Sequence, residues 1–311
     1  MRYIGIDIGG TKIAGGIVTG AGEILSRFER PTPIKDGGET ILRTAISVAQ
    51  LLLEDKSAAG EQIAGVGIGA GGQIDTVQGL VYSATDVIPG WKGIRIAEAF
   101  GTALGLPAAV DNDVNVLALG ENRFGAARAF PNGTVVFLAL GTGVGGAILT
   151  NGCVHHGAHW SGGELGHILL SMDADARKDT GGARGTLEAY CSGPGLVETY
   201  LELSGKSGGE ITGHDVVKDA KARPDGPGAR AIAKTGEYLG FGLVTLANAL
   251  DPDLFVVGGG LSDLGEDLLV PARKVLSENA LPGPATSQVV LAGLGNDAAI
   301  VGAACLVMPR G

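Results

Sequence analysis

The chain has 311 residues, of which 45% are hydrophobic and 18% are charged, as in globular rather than disordered proteins. This length predicts two α/β domains. The net charge of −10, without a lysine- or arginine-rich stripe, argues against a nucleic acid partner. The sequence holds no run of about 18 apolar residues and does not open on a basic segment followed by an apolar one, so we expect neither a membrane partner nor a signal peptide.

The glycines and cysteines of the chain indicate ligand binding and the expected cellular location. The 55 glycines cluster after apolar runs, which predicts backbone that closely approaches a ligand. The three cysteines are odd in number and far apart, so they predict no disulfide framework. A reducing cytoplasm is therefore the expected location.

The N-terminal part of the chain alternates predicted strands and helices. The elements expected there are strands over 2–8, 13–19 and 23–29, a helix over 39–55, a strand over 63–69, a helix over 94–104 and a strand over 106–110. Such an order predicts a mixed sheet with helices on its faces.

The second part begins near residue 115 and repeats this alternation. Its expected elements are strands over 134–140 and 146–150, helices over 193–203, 213–221 and 228–249, a strand over 254–257, a helix over 264–279, a strand over 288–292 and a final helix over 296–307. We therefore predict one domain from residues 1–114 plus 296–311, and a larger one from residues 115–295.

Two stretches repeat one plan of apolar strand, glycine- and threonine-rich turn, and apolar strand. They are "YIGIDIGGTKIAGGIV" (3–18) and "VVFLALGTGVGGAIL" (135–149), and "LFVVGGG" (254–260) also ends in glycines. This repetition predicts a duplicated architecture around a cleft. Turn N–H groups can bind phosphate, while Asp7 could hold Mg²⁺ and Lys12 could meet phosphate charge. The alternative is a pair of ordinary hairpins, and the repetition favours phosphate binding.

Three glycine motifs do not fit their usual functions. "GTGVGG" (141–146) and "GIGAGG" (67–72) match the dinucleotide pattern, but strand or turn residues follow them where that pattern needs a helix. "GKS" (205–207) resembles the end of a P-loop, but Tyr200 stands where the first glycine is required.

Several polar motifs keep more than one interpretation on residues alone. Glu164 and His167 in "GGELGH" could be a metal pair, a clamp for sugar hydroxyls or a surface pair. The "HHGAH" run (155–159) is more typical of a solvated loop than of a metal site. In "VDNDVN" (110–115), Asp and Asn could cap a helix, or an Asp could accept the proton of an attacking alcohol while an Asn holds that alcohol.

Six motifs in order resemble the ROK family (repressor, open reading frame, kinase) of bacterial sugar kinases. They are "DIGGTK" (7–12), "DNDVN" (111–115), "LGTGVGG" (140–146), "GGELGH" (162–167), "LEAYCSG" (187–193) and "VVGGGLS" (256–262). The resemblance implies the actin-like ATPase (ribonuclease H-like) fold, duplicated into two α/β domains around a cleft. It also implies transfer of the γ-phosphoryl group of ATP to a hexose hydroxyl, usually at C6.

The same resemblance assigns roles residue by residue. It implies that Asp113 is the general base, with Asp7 near Mg²⁺. The implied sugar ligands, besides Asp113, are Gly72, Thr85, Asn112, Glu164, His167 and Glu188. The implied ATP-binding residues are Gly9, Gly10, Thr11 and Lys12 in the first phosphate turn, Thr142 and Gly143 in the second, and Gly258, Gly259 and Gly260 toward the adenosine.

Two features depart from the family pattern. Many members carry a cysteine-rich zinc motif where this chain reads "ARKDTGGARGTLE" (176–188), which has no cysteine. Since Zn²⁺ usually needs four sulfur or imidazole ligands, we expect no structural zinc, and either His167 is held by other means or its role is weaker. Repressor members carry a helix-turn-helix before the first motif, and we expect none here because that motif starts at residue 7.

The expected function is that of an ATP-dependent glucose kinase acting on the 6-hydroxyl. N-acetylmannosamine, N-acetylglucosamine, mannose and fructose stay open as substrates, and polyphosphate as donor. A sensor that binds sugar without catalysis is the rival from another class, since fold alone does not fix function. A nicotinamide oxidoreductase would require a helix directly after "GTGVGG". The resemblance also implies a homodimer or homotetramer.

Overall fold

The computed structural model describes residues 1–56, 61–85, 87–205 and 211–309. The strands are β1 (Arg2–Ile8), β2 (Lys12–Thr19), β3 (Ile24–Pro31), β4 (Ile63–Ala70), β5 (Gln73–Asp75), β6 (Leu80–Ser83), β7 (Ala108–Asn112), β8 (Thr134–Leu140), β9 (Val144–Thr150), β10 (Cys153–Val154), β11 (Leu254–Gly258) and β12 (Gln288–Leu291). The helices are α1 (Gly38–Glu54), α2 (Ile96–Leu104), α3 (Asp113–Phe124), α4 (Leu187–Cys191), α5 (Gly193–Ser204), α6 (Gly213–Ala222), α7 (Pro227–Leu250), α8 (Glu266–Asn279) and α9 (Ala298–Cys305). Lys206 and Ser207 of the P-loop-like "GKS" lie outside the described residues.

The described residues form two units. The first unit takes its residues from Met1–Pro131, Gly152–Gly162 and Gly293–Gly311, and the second from Asn132–Asn151 and Gly163–Ala292. The predicted domain boundary at 114/115 therefore moves to 131/132, and α3 belongs to the first unit. The physical reason is that α3 packs against α9: a Cβ on Gly302 would lie 1.8 Å from the carbonyl oxygen of Val116.

The first unit is built on one five-stranded sheet in the order β3–β2–β1–β4–β7. Strands β1, β2 and β3 are antiparallel, while β4 and β7 run parallel to β1. The buried face of α1 and the isoleucines at 4, 6 and 8 share one apolar cluster. Helix α9 covers the opposite face, where Gly5 and Gly67 let it approach: a Cβ on either would meet the α9 backbone at 1.9 or 1.8 Å.

The second unit contains a sheet in which the strands run in the order β9–β8–β11–β12. Strand β9 is antiparallel to β8, whereas β11 and β12 are parallel to it. Leucines of α7 and α8 pack against the apolar side chains of β8 and β11. Each unit thus starts from a hairpin and adds parallel strands. Strand β9 begins at Val144, inside "GTGVGG", and continues beyond it, so this motif lacks the helix of a dinucleotide site.

Two further features concern membrane-spanning helices and the state of the cysteines. Within the ranges that the structure describes, no helix combines the length and the apolar character needed to cross a membrane. All three cysteines are free, with Cys191 buried and the other two partly buried.

Candidate active site

The end of β7 and the start of α3 hold the "VDNDVN" motif. Strand β7 ends at Asn112 and α3 begins at Asp113. The side-chain oxygen of Asn112 accepts hydrogen bonds from the backbone N–H groups of Val114 (2.9 Å) and Asn115 (3.2 Å). Asn112 is therefore the N-cap of α3, which is the simpler of the two interpretations of this motif.

Asp113 is partly buried and lies against the glycine turn that follows β4. A Cβ on Gly71 would lie 3.9 Å from Asp113 Oδ2. Burial raises the pKa of the Asp113 carboxyl, and hydrogen bonds from the Val114 N–H and from Asn112 oppose this rise. Burial also raises the pKa of Asp7 to about 6, with a further contribution from the charge of Asp113 and an opposing one from Lys12. Two carboxylates of raised pKa that repel one another form a setting that suits a divalent cation.

Asp111 links this motif to a histidine that the sequence did not single out. Asp111 is only 2% exposed. Its Oδ1 accepts from the Asn112 N–H and the Asn115 amide, and its Oδ2 lies 2.7 Å from His156 Nε2. His156 packs edge-on against Trp160, with ring centroids 5.8 Å apart. The "HHGAH" run thus contributes a side chain that holds the strand end, rather than a purely solvated loop.

The turn between β1 and β2 holds the first predicted phosphate site. The N–H of Gly9 donates to the carbonyl of Lys12 (3.1 Å), and the Thr32 hydroxyl donates to the carbonyl of Gly9 (2.6 Å). Gly10 and Thr11 are exposed, and a Cβ on Gly10 would meet no atom within 4 Å. The Lys12 ammonium pairs with Glu29 at 2.9 Å, so it faces the sheet edge rather than the turn.

Gly72 and Thr85 come from the segments around the short β5–β6 pair. Gly72 has φ +105°, and its carbonyl accepts a hydrogen bond from the Asn112 amide at 3.0 Å. The neighbouring Gly71 carbonyl accepts from the indole N–H of Trp91 at 2.9 Å. Thr85 is exposed, just after β6. The structure thus brings Gly72, Asn112 and Asp113 together.

The second unit holds the remaining predicted sugar ligands. Glu164 is the N-cap of a single 3₁₀ turn, Leu165–His167, and His167 is its last residue; residues three apart lie on the same side of such a turn. Both side chains are exposed. Glu188 is buried in α4, and its Oε2 accepts from the Val144 N–H at 3.0 Å. A Cβ on Gly143 would lie 2.6 Å from the same oxygen, so Gly143 borders Glu188.

The second unit also contains a cavity of about 820 Å³. Of the predicted ATP-binding residues it is lined by Thr142 and Gly260. Gly258 and Gly259 do not line the cavity. Gly258 is buried, and Gly259 has a positive φ and lies so close to the Leu140 backbone that an added Cβ would meet it at 2.4 Å. The other lining residues come mostly from α5 and α6 and were missed by the sequence analysis: Gly141, Gly193, Pro194, Leu196, Val197, Glu198, Leu201, Ile211, Thr212, Gly213, His214, Val217, Leu261 and Leu264.

The described residues also bear on the expected absence of a structural zinc. No group of three or more His, Cys, Asp or Glu side chains within them could hold a metal ion by itself. The expected absence of a structural zinc stays a prediction, because an absent cluster does not test it.

Comparisons with known proteins agree on one family. The model of the ROK family matches residues 3–310. A glucokinase of Halalkalibacterium halodurans is 35% identical to this chain over 98% of its length and 94% of that protein. A ROK family glucokinase from Streptomyces griseus, solved in complex with glucose and AMPPNP, is 33% identical, with a TM-score of 0.77 over 98% of this chain and 99% of that one.

A ROK hexokinase from Thermus thermophilus is 30% identical, with a TM-score of 0.81 over 98% of this chain and 97% of that one. The two α/β units, each with a mixed sheet, therefore have the actin-like ATPase fold that the sequence predicted. The match to the family model along nearly the whole chain, together with these likenesses, shows that the chain belongs to the ROK family.

Proposed function

We propose that this chain transfers the γ-phosphoryl group of ATP to the 6-hydroxyl of glucose, with Asp113 as the general base. The whole-length likeness to glucokinases, one of them solved with glucose and AMPPNP, supports the activity and the substrates. The observation that carries the mechanism is the setting of Asp113, which the Asn112 cap fixes at the start of α3.

Asp113 has properties that suit a general base. Phosphoryl transfer to an alcohol needs positioning, charge neutralisation and a group that accepts the hydroxyl proton. Burial raises the pKa of Asp113, which makes its carboxylate a better proton acceptor than a solvated one. The position at the N-terminus of α3 keeps the carboxylate form accessible, because a helix N-terminus stabilises negative charge.

Side chains around Asp113 have a limited capacity for sugar hydroxyls. Both acceptor sites of the Asn112 oxygen are used by the α3 cap, and one amide hydrogen is used by Gly72. An amide carries two hydrogens, and the second one is used by Asp113, whose pKa the Asn112 side chain lowers through a hydrogen bond. We propose that a sugar oxygen takes over this second hydrogen when the substrate binds, and that Gly72 and Thr85 line the same site.

We propose that the second unit provides the other sugar contacts and the nucleotide site. Glu164, His167 and Glu188 would bind sugar hydroxyls. The mainly apolar cavity beside Thr142 and Gly260 would take the adenosine. The first phosphate turn, Gly9–Lys12, and the second, Thr142–Gly143, would receive phosphates, and a Cβ on Gly10 or Gly260 meets no protein atom within 4 Å.

Asp7 would hold Mg²⁺, since its partly buried carboxylate lacks a full counter-charge in this structure. When bound, Mg²⁺ neutralises charge on the phosphates. The protein's own contribution is separate: Asp113 removes the hydroxyl proton, Asn112 orients the acceptor, and the turn N–H groups bind phosphate oxygens.

The test is ADP release by the purified protein with Mg·ATP and glucose, mannose, fructose, N-acetylglucosamine or N-acetylmannosamine. We expect glucose to give the highest kcat/KM. Asp113→Asn should lower kcat by about 10²–10⁴-fold, the usual contribution of a general base. The exposed Asp267 of α8 supplies the matched control Asp267→Asn, which should keep wild-type activity.

Other outcomes point elsewhere. Full activity in Asp113→Asn would refute the assignment of the base. Higher kcat/KM with an acetylhexosamine or fructose would change the substrate, and turnover only with polyphosphate would change the donor. A protein that binds sugar without any turnover would be a sensor. A homodimer or homotetramer in the cytoplasm stays a prediction, which light scattering and fractionation can check.

A further inference from the structure

Residues 176–186 lie between two of the predicted sugar ligands of the second unit, His167 and Glu188, and are here called the 176–186 loop. It follows the 3₁₀ turn of His167 after eight intervening residues (168–175) and leads directly into the helix α4 of Glu188. Its backbone is fixed by hydrogen bonds from Gly185 N–H to the Arg177 carbonyl (2.8 Å) and from Asp179 N–H to the Ala183 carbonyl (2.8 Å). The loop is therefore a folded hairpin-like structure rather than a loose connection.

Arg177 fixes this loop to the helical part of the unit. Its guanidinium donates to Thr199 Oγ1 (2.8 Å) and makes two hydrogen bonds with Glu202, at 3.2 and 2.7 Å. It also stacks on the rings of Tyr190 and Tyr238, 5.0 and 5.7 Å from their centroids. A bidentate arginine with aromatic partners holds a fixed geometry.

Asp179 reaches from the loop to His167. The Asp179 side chain is fully buried; its Oδ1 accepts from the Ala183 N–H (2.8 Å) and its Oδ2 from the Thr186 hydroxyl (2.9 Å). His167 Nδ1 lies 3.6 Å from the same Oδ2, an electrostatic contact rather than a hydrogen bond. Because the carboxylate is immobile, it restricts an exposed imidazole that would otherwise rotate freely, and it leaves Nε2 available to a ligand.

Thr180, the next residue, holds Glu188. Its N–H and its hydroxyl both donate to Glu188 Oε1, at 3.2 and 2.5 Å. The Val144 N–H donates to Oε2. A carboxylate offers about four acceptor sites, so these three hydrogen bonds fix its orientation and leave about one site, on Oε2, for a ligand hydroxyl.

We propose that Asp179 and Thr180 are positioning residues for the sugar: they set His167 and Glu188 in the geometry that binds hexose hydroxyls. This inference rests on the proposed function, in which His167 and Glu188 are sugar ligands. Since the loop is fixed by Arg177, and since its two contacts come from adjacent residues, both ligands are held by one rigid element of the chain.

The experiment compares Thr180→Val, which removes the hydroxyl at nearly constant volume, with Thr180→Ser, which restores it. Thr180 is exposed, so the fold should survive both changes, and thermal melting checks this. We expect Thr180→Val to raise the hexose KM about tenfold, the usual effect of losing a hydrogen bond to a charged group, with an unchanged ATP KM. Thr180→Ser should return the hexose KM to within about twofold of wild type.

Two further variants complete the comparison. Asp179→Asn, which removes the charge facing His167, should also raise the hexose KM while the ATP KM stays constant. The matched control is Thr44→Val in α1 of the first unit, whose hydroxyl donates to a backbone carbonyl at 2.8 Å. It should change neither KM.

The outcomes separate this inference from the proposed function. An active wild type whose hexose KM is unchanged in Thr180→Val overturns the inference. Equal rises in the hexose and ATP KM values overturn it too, because they indicate a general structural role. If the wild type turns over no sugar, the proposed kinase function fails. The hexose Kd from calorimetry then replaces KM, and an equal Kd in wild type and Thr180→Val overturns the inference separately.

Discussion

The substitution Asp7→Asn is expected to stabilise the first unit by an amount that grows with pH. The pKa of Asp7 rises from 3.8 to about 6 in the fold, because burial and the charge of Asp113 both disfavour the carboxylate. A carboxyl group whose pKa is raised on folding destabilises the fold once it ionises. This cost is absent below about pH 4, where both states are protonated, and is complete above about pH 6–7.

The magnitude follows from the size of the pKa shift. A rise of about two units corresponds to about 3 kcal/mol, and partial exposure of Asp7 lowers the expected value to about 2 kcal/mol. Asparagine has nearly the same volume and no charge, so the variant escapes this cost. The difference in unfolding free energy between variant and wild type should therefore increase by about 2 kcal/mol from about pH 4 to about pH 8.

The assay is urea unfolding without nucleotide or metal, followed by tryptophan fluorescence. Both tryptophans of the chain, Trp91 and Trp160, belong to the first unit, so the signal reports the unit that contains Asp7. The exposed Asp36 of the same unit provides the control variant Asp36→Asn, which measures the loss of a surface carboxylate. A difference for Asp7→Asn that stays constant with pH, or that grows toward acid pH, would refute the reasoning.

Three other predictions test separate parts of the molecule. Gly10→Ala should keep wild-type stability but raise the ATP KM severalfold, because the new Cβ meets no protein atom within 4 Å and enters the space proposed for a phosphate. The control Gly20→Ala has the same open surroundings and should leave the ATP KM unchanged. Equal ATP KM values for the two variants would contradict the proposed role of Gly10. The pKa of His156 is raised chiefly by its hydrogen bond to Asp111, so the pair stabilises the fold fully below about pH 6.5 and loses this effect as pH rises through the higher folded pKa. His156→Gln should thus lower the free energy of unfolding by about 1.5–3 kcal/mol near pH 6 and by less near pH 9. The control is His155→Gln, at the exposed neighbouring histidine. A loss of unfolding free energy that does not change with pH would count against the ion pair. Elemental analysis of the purified protein should find far less than one equivalent of zinc, and stoichiometric zinc would disprove the expectation drawn from the cysteine-free stretch 176–188.

The sequence predicted most strands and helices to within a few residues, because apolar runs in this chain end at glycines. Strand β8 has the predicted bounds, and the hairpin after "GTGVGG" follows from the apolar residues that resume at Val144. These signals are local, since an apolar run and the turn that ends it lie in one short stretch. The division into units could not be predicted from such local signals. It depends on the packing of α3 against α9, and the small residues of α9 do not indicate in the sequence which helix they contact.

In the candidate site, too, the residues of local motifs could be predicted from the sequence, and the contacts between distant residues could not. Motif residues such as Asp113 and Glu188 could be named from the sequence because their neighbours form a recognisable pattern. The side chains that hold them could not, since His156 meets Asp111 and Thr180 meets Glu188 only in the folded chain. The apolar lining of the cavity was missed for another reason: Leu196 and Val217 look like ordinary core positions of amphipathic helices.

The position of α9 has a consequence for biosynthesis. The first unit needs α9 to cover the glycine-bearing face of its sheet, yet α9 is translated after every residue of the second unit. The second unit can therefore fold before synthesis ends, because domains generally fold independently during translation. Until α9 has been synthesised, the face of β1 and β4 that it covers stays exposed to solvent. The unit whose synthesis starts first is thus completed last, and for most of translation its uncovered apolar surface is the kind that is prone to aggregation.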